Sequence, residues 1–181
     1  MPNLHSVRPR RGDNTEEYQC KYHEYMLKFF ARNPYLWATH VWNMYDFAAD
    51  ARNQGGEPGM NHKGLVTYDR KTRKDAFYLY KAYWSEEKFI HLSGKRFVNR
   101  TGGKLKIKVY TNEPTVELYV DDKLVKTQNG DKVFNFSVPF KGTMKITVKS
   151  GDLVDEATFT RVATKDRSYI LTKTDTKNWQ K

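Results

Sequence analysis

Polar and apolar residues alternate one by one through much of the second half of the chain, and this alternation limits the possible folds more than any other feature. The run Lys104–Val109 alternates lysine with an aliphatic residue, so one face of a strand enters a core and the other meets water. Turn signals such as Asn129-Gly130 and Ser150-Gly151 separate the alternating segments. About seven short strands at intervals of roughly ten residues predict an all-β immunoglobulin-like sandwich over residues 88–162.

Residues 1–87 follow a different pattern, in which helical and extended segments alternate. An N-cap followed by aromatic residues at helical spacing predicts a helix over residues 14–32. The aromatic run 35–47 is typical of a strand buried on both faces, as in a parallel sheet, and the glycines of residues 48–62 indicate a surface loop. A second helix carries residues 76–84. This order predicts an α/β fold, an incomplete segment of a TIM barrel, since a closed (β/α)8 barrel needs about 250 residues.

The domain plan therefore has three parts. Residues 1–87 are the predicted barrel segment, and residues 88–162 are the predicted sandwich. Residues 163–181 are mostly polar, so we expect a tail or linker there.

The net charge of +11 is concentrated in the second half of the chain. Residues 1–87 carry thirteen Lys or Arg against eleven Asp or Glu, whereas residues 88–181 carry nineteen against ten. These lysines alternate with apolar residues, which is typical of the solvated face of a sheet, and no nucleic-acid-binding motif accompanies them. We therefore expect no nucleic-acid partner. The opposing hypothesis, nucleic acid bound by a basic sheet face, predicts an affinity that falls steeply with salt.

The composition also excludes several classes of protein and of binding site. The mean hydropathy is −0.84 and charged residues interrupt every apolar run, so we expect no membrane span. Cys20 is the only cysteine, which excludes an internal disulfide and a cysteine-rich zinc site. The histidines lack metal-ligand spacing, so we expect no metal site and no cofactor. Residues 1–5 lack the apolar stretch of a secretory signal, and the compartment is left open.

Candidate binding residues lie at the expected end of the aromatic strand and after the glycine-rich loop. The carboxyl ends of barrel strands carry the active site, so Trp42 and Asp46 are candidates, together with Asn61 and Lys63. An aromatic face beside polar groups suits a sugar, because a pyranose ring has an apolar face and a rim of hydroxyl groups. For Trp42 the alternative is a core position. For Asp46 it is a buried carboxylate satisfied by an arginine or by backbone amides.

No pair of catalytic carboxylates is recognisable in the sequence. Hydrolysis of a glycosidic bond with retention requires two carboxyl groups about 5 Å apart. Glu16, Glu17 and Glu24 fall on the polar side of the first predicted helix, and the later glutamates of residues 1–87 fall in loops or at a helix end. We therefore assign no catalytic residue to this chain.

Three segments resemble one enzyme family in their order and spacing. They are Pro34–Phe47, Asn61–Lys71 and Lys74–Trp84. These segments are similar to the end of the catalytic barrel in bacterial β-galactosidases of glycoside hydrolase family 2. The predicted sandwich resembles the immunoglobulin-like domain that follows this barrel, so the resemblance covers nearly the whole chain.

The resemblance implies a retaining mechanism in the intact enzyme, with one glutamate as acid/base and another as nucleophile, both on earlier barrel strands. Trp42, Asn61 and Lys63 would then form part of the wall of the sugar pocket, with Asp46 as support. An Asn-x-Lys pair is also the feature by which β-glucuronidases of this family hold a uronate carboxylate, and an ammonium group suits a carboxylate. The resemblance transfers no metal ligands.

The leading hypothesis from the sequence is a C-terminal fragment of a β-galactosidase that hydrolyses terminal β-galactosides. It supplies pocket-wall residues, lacks the catalytic glutamates and is inactive alone. One alternative is a fragment of a β-glucuronidase-type enzyme. Another is a non-catalytic carbohydrate-binding module in which the sandwich binds the glycan. The open edges of an incomplete barrel also predict self-association.

Overall fold

The structure is a computed structural model, and it describes residues 3–170. Within that range, residues 3–77 with 167–170 form one unit, and residues 78–166 form a second. The elements in chain order are α1 (Glu16–Arg32), β1 (Phe47–Gln54), β2 (Glu57–Asn61), α2 (Asp75–Trp84), β3 (Ile90–Leu92), β4 (Asn99–Arg100), β5 (Lys104–Thr111), β6 (Thr115–Val120), β7 (Lys123–Asn129), β8 (Val133–Pro139), β9 (Thr143–Ser150), β10 (Leu153–Arg161) and a 3-10 turn (Arg167–Tyr169).

The second unit is a two-layer β-sandwich. One sheet has the strand order β4-β10-β9-β6-β7, and the other has the order β3-β5-β8. Neighbouring strands are antiparallel except β4 and β10, which run parallel. Between the two layers lie aliphatic and aromatic side chains from both sheets, including Phe134, Ile146 and Phe159. Burial of each such side chain contributes about 1.5–3 kcal/mol.

The sandwich agrees with the alternation of the sequence. In β5, Leu105 and Ile107 are buried in the core, whereas Lys104 and Lys106 are exposed. The described part of the second unit has eight strands, where the sequence predicts about seven. The additional strand is β4, a pair of residues that is too short to show a period.

The first unit contains α1, the hairpin β1-β2 and the start of α2. β1 and β2 are antiparallel and are joined by a turn at Gly55 and Gly56. Both glycines have positive φ, 61° and 78°, a conformation that side chains with a Cβ rarely adopt. The two glycines therefore enable the tight reversal.

The prediction of a TIM-barrel segment is wrong. The described part of the chain is mostly β-sheet and contains two α-helices. Residues 35–44 form no strand, and Trp37 is 95% exposed. A strand buried on both faces needs a covering layer on each side, and no described element of the first unit covers this run. Aromatic residues alone were therefore a misleading sign of a parallel sheet.

The prediction of a surface loop over residues 48–62 is also wrong, since most of these residues form the β1-β2 hairpin. The glycine signal is confined to the two-residue turn. The run Phe47–Gln54 lacks a clear alternation of exposed and buried residues, which explains why its extended conformation is not visible in the sequence.

Helix α1 begins and ends close to the predicted bounds, but its buried face differs from the expected one. Thr15 is the N-cap, and its side chain accepts a hydrogen bond from the Tyr18 amide. The buried residues are Glu16, Cys20, His23 and Leu27. The aromatic residues Tyr22, Tyr25 and Phe29 are exposed instead.

Two further predictions concern membranes and the chain end. Among residues 3–170, neither helix is both long and apolar enough to cross a membrane. The predicted tail includes the 3-10 turn, where the Tyr169 carbonyl accepts a hydrogen bond of 3.1 Å from the His5 amide. Residues 171–181 of that tail lie outside the described residues.

Candidate functional site

The base of the β1-β2 hairpin brings the candidate residues close together. β1 begins at Phe47, directly after Asp46, and β2 ends at Asn61. The strand register pairs Phe47 with Asn61. The chain entering β1 and the chain leaving β2 are therefore neighbours at the same end of the hairpin.

Asp46 lies in a buried polar cluster at this base. Its Oδ1 accepts a hydrogen bond of 2.7 Å from Lys74 Nζ and one of 3.0 Å from the Gly64 amide. Lys74 Nζ also donates to the His62 carbonyl oxygen at 3.0 Å. The side chains of Asp46 and Lys74 have no exposed area. Each charge therefore needs the other, because an unpaired buried charge is very costly.

His62 connects this cluster to the hairpin. Its Nδ1 lies 3.5 Å from Asp46 Oδ2, and its Nε2 lies 3.0 Å from Glu57 Oε2. The His62 amide donates a hydrogen bond of 2.9 Å to Gln54 Oε1. The imidazole thus separates the two carboxylates, which do not face each other across a space for a sugar, as retaining hydrolysis requires. No set of three or more potential metal ligands occurs among residues 3–170.

Gly64 marks a close approach of two chain segments. A Cβ at this position would lie 2.1 Å from the Asp46 backbone nitrogen, so no larger residue fits without a shift of the backbone. The same two segments are joined by backbone hydrogen bonds. The Val66 amide donates to the Met44 carbonyl and the Asp46 amide donates to the Val66 carbonyl, both at 2.9 Å. These bonds hold the segment after β2 against the segment before β1.

Trp42, Asn61 and Lys63 line one cleft of about 340 Å³. The Trp42 indole is 69% exposed and meets the Phe47 ring edge-on, with ring centroids 6.0 Å apart. Asn61 Oδ1 accepts a hydrogen bond of 3.0 Å from the Lys63 amide, which ties the two residues together. The other residues lining the cleft are Phe47, Ala49, Asp50, Ala51 and Arg52.

The structure adds Arg52 to the candidate residues. Together with Lys63 it gives the cleft two cationic side chains against one carboxylate, Asp50. Arg52 lies within the region that the sequence predicts to be a loop, so no strand position marks it. Recognition of Gly55-Gly56 as a hairpin turn would have placed Arg52 in β1, the strand that pairs with β2 and begins opposite Asn61.

Asp46 is separated from the other three predicted residues. It lines a neighbouring cleft of about 600 Å³, together with Tyr45, Tyr68 and Arg70 among others. The Arg70 guanidinium lies over the Tyr45 ring at 4.8 Å from its centroid. Trp42, Asn61 and Lys63 therefore share one cleft, whereas Asp46 contacts the chain that carries Asn61 and Lys63.

His23 of α1 is also electrostatically coupled to the cluster. Burial lowers the pKa of His23 to about 4, and the positive charge of Lys74 contributes in the same direction. The imidazole is therefore neutral at pH 7. Because His23 is neutral, it adds no second buried positive charge near Lys74.

Comparison with known proteins points to glycoside hydrolases, although no family model matches the chain. The chain is 39% identical over 153 residues to a β-glucuronidase of Bacteroides fragilis, in an alignment that covers 74% of this chain and 22% of that protein. The crystal structure of an FMN-binding β-glucuronidase from Faecalibacterium prausnitzii L2-6 matches with a TM-score of 0.90 and 45% identity. That match covers 94% of this chain and 27% of the other.

A third relative has a different assigned activity. A Bacteroides fragilis structure described provisionally as a β-galactosidase matches with a TM-score of 0.80 and 31% identity, covering 91% of this chain and 27% of the other. The chain thus spans about a quarter of these relatives, and it corresponds to their C-terminal part. The resemblance to glycoside hydrolases is supported, whereas a preference for galactosides is not.

Proposed function

We propose that this chain supplies part of the sugar-binding wall of a β-glucuronidase-type glycoside hydrolase. In this proposal Arg52, Asn61 and Lys63 bind the carboxylate of a β-glucuronide. The observation that carries it is the composition of one cleft, in which two cationic side chains and an amide stand beside an exposed indole. The names of the relatives support the same class of activity.

The charges of the cleft favour a glucuronide over a galactoside. A glucuronide differs from a neutral hexoside by a carboxylate, which the Lys63 ammonium and the Arg52 guanidinium bind through charge-assisted hydrogen bonds. A galactoside has no group that would compensate the dehydration of two cations. Asp50 is the one carboxylate among the residues that line the cleft.

Trp42 and Asp46 have different roles in this proposal. The exposed face of Trp42 is available to the apolar face of the sugar ring. Asp46 does not reach the sugar. It acts as support, because it binds the Gly64 amide and, with Lys74, fixes the chain between Asn61 and Gly64.

The chain alone is expected to bind the sugar without hydrolysing it. The cleft has one carboxylate among its lining residues, Asp50, whereas Asp46 and Glu57 contact the His62 imidazole, so no pair is arranged for acid/base and nucleophilic roles. Incubation of the purified chain with a chromogenic β-glucuronide and a chromogenic β-galactoside should give no turnover. Turnover that Lys63→Ala abolishes would overturn this assignment.

A binding experiment tests the role of the cleft. Titration of isotope-labelled chain with methyl β-glucuronide should shift the amide resonances of residues 61–63, and Lys63→Ala should weaken binding by about tenfold or more. Lys28→Ala removes an exposed lysine from α1 and is the matched control, with binding unchanged. Equal affinities of both variants would refute the proposed carboxylate site.

A further inference from the structure

The exposed face of the sheet β3-β5-β8 carries a row of lysines. Lys104 and Lys106 are exposed and Lys108 is partly exposed, while the intervening Leu105 and Ile107 are buried. Side chains two residues apart on an antiparallel strand are about 6.8 Å apart. The Cα atoms of the three lysines therefore span about 14 Å along one strand.

Strand β8, which pairs with β5, adds no negative charge to this row. The register of β5 and β8 places Lys104 opposite Pro139, Lys106 opposite Ser137 and Lys108 opposite Asn135. Lys141 follows β8 near the start of β5, because the Phe140 amide donates to the Gly103 carbonyl oxygen at 3.0 Å. Lys104, Lys106 and Lys141 form no ion pair with any of residues 3–170.

Two lysines of the other sheet of the sandwich have acidic neighbours. Lys145 Nζ lies 3.1 Å from Glu156 Oε2 and 3.5 Å from Asp122 Oδ1. Lys149 Nζ lies 4.7 Å from the centroid of the Tyr119 ring, and the register places Lys149 opposite Glu117. Lys145 and Lys149 therefore each lie beside an acidic side chain, whereas Lys104 and Lys106 lie opposite Pro139 and Ser137.

We propose that the lysine row, formed by Lys104, Lys106, Lys108 and Lys141, binds a carboxylated polysaccharide. A linear row of ammonium groups is complementary to a linear chain of carboxylates, and association releases the counterions of the polymer. Asn135 and Ser137 are exposed beside the row and offer hydrogen bonds to sugar hydroxyl groups.

A nucleic acid fits this face less well than a glycan. Proteins that bind single-stranded nucleic acid combine positive charge with aromatic side chains on which bases stack. The aromatic residues of β5 and β8, which are Tyr110, Phe134 and Phe136, are all buried. The proposal is independent of the cleft in the first unit, since none of its residues belongs to that unit.

The test compares two triple variants of the full chain. Lys104, Lys106 and Lys141 are changed to Gln in one, and the exposed lysines Lys123, Lys126 and Lys165 are changed to Gln in the other. Both variants lose three positive charges, so net charge is matched. Affinity is measured by calorimetry at low salt with polygalacturonate, with neutral dextran and with a twenty-nucleotide oligothymidine.

The proposal predicts that the first triple variant binds polygalacturonate about tenfold more weakly, and that the control changes affinity less than about twofold. Dextran should not bind. Equal losses in the two variants would show a response to net charge only and would overturn the proposal, as would absence of polygalacturonate binding by the unmodified chain. Tighter binding of oligothymidine would assign the row to nucleic acid instead. If circular dichroism shows that the triple variant is unfolded, the single variant Lys106→Glu replaces it in the comparison.

Discussion

Asp46 and Lys74 are the pair of residues on which the base of the hairpin depends most. Their contact of 2.7 Å is wholly buried, so each side chain has lost its hydration and is compensated by the other. Lys74 also holds the His62 carbonyl, and Asp46 holds the Gly64 amide. Removal of one partner leaves a buried charge and releases the chain that carries Lys63.

Replacement of Lys74 by Met is expected to destabilise the fold strongly. The variant leaves the Asp46 carboxylate buried without its cation, which costs about 3–5 kcal/mol in comparable cases. Urea unfolding monitored by tryptophan fluorescence measures the change. The double variant with Asp46→Leu and Lys74→Met should recover most of the loss, because neither charge of this pair remains. Lys71→Met is the exposed control, and a loss in Lys74→Met no larger than in this control would contradict the account.

His23 gives the stability of the first unit a pH dependence. Its pKa is about 4 in the folded chain and 6.5 in the unfolded chain, so the unfolded state binds more protons between these values. The free energy of unfolding therefore rises with pH through this range and falls by about 1–2 kcal/mol from pH 7 to pH 5. Urea unfolding at both pH values should show this loss in the unmodified chain. His23→Gln should reduce it, and an undiminished loss in that variant would assign it to other groups.

At the scale of elements, the hairpin is joined to the following segment through a contact that only glycine permits. Gly64→Ala would place a Cβ 2.1 Å from the Asp46 nitrogen, whereas Gly103→Ala meets nothing within 4 Å. We expect Gly64→Ala to cost at least about 1–3 kcal/mol and Gly103→Ala to change stability by less than about 0.5 kcal/mol. Thermal unfolding of the two variants compares them directly. Similar melting temperatures for both would contradict the close approach.

The sandwich and the hairpin show which elements the sequence reveals. In β5, β6 and β8 of the sandwich, one face is buried and the other is at least partly exposed, so alternation is a direct consequence of the fold. In β1, residues such as Ala48 and Ala49 are small, and the burial pattern is irregular, so no period appears. The run 35–47 is apolar without being buried, since Trp37 and Trp42 are exposed. Apolar composition therefore misled the prediction of a barrel strand.

The sequence predicted only part of the site, because some of its contacts depend on tertiary structure. The sequence singled out four residues, and three of them, Trp42, Asn61 and Lys63, line one cleft without Asp46. Lys74 was not predicted as the partner of Asp46, because the contact joins residues 28 positions apart. Arg52 was missed because its position follows from the hairpin register. Such contacts depend on tertiary structure and leave no local pattern.

At the scale of the whole molecule, exposed aromatic side chains favour self-association. Tyr22, Tyr25 and Phe29 are exposed on α1, and Trp37 is almost fully exposed; soluble monomers seldom expose large apolar patches. The predicted barrel edges are absent, so these side chains are the basis of the expectation. Sedimentation velocity should show a coefficient that increases with concentration. Tyr25→Ser with Phe29→Ser should weaken the increase, and a compact monomer at every concentration would refute the expectation.

In the proposed function, the cleft lined by Arg52, Asn61 and Lys63 recognises a carboxylate. The most direct measurement compares binding of methyl β-glucuronide and of its neutral methyl ester to the full chain by nuclear magnetic resonance titration. The two ligands differ in charge while sharing the ring and its hydroxyl groups. We predict about tenfold or tighter binding of the acid, with a preference that diminishes as salt increases. Equal affinities, or a preference for the ester, would contradict carboxylate recognition by this cleft.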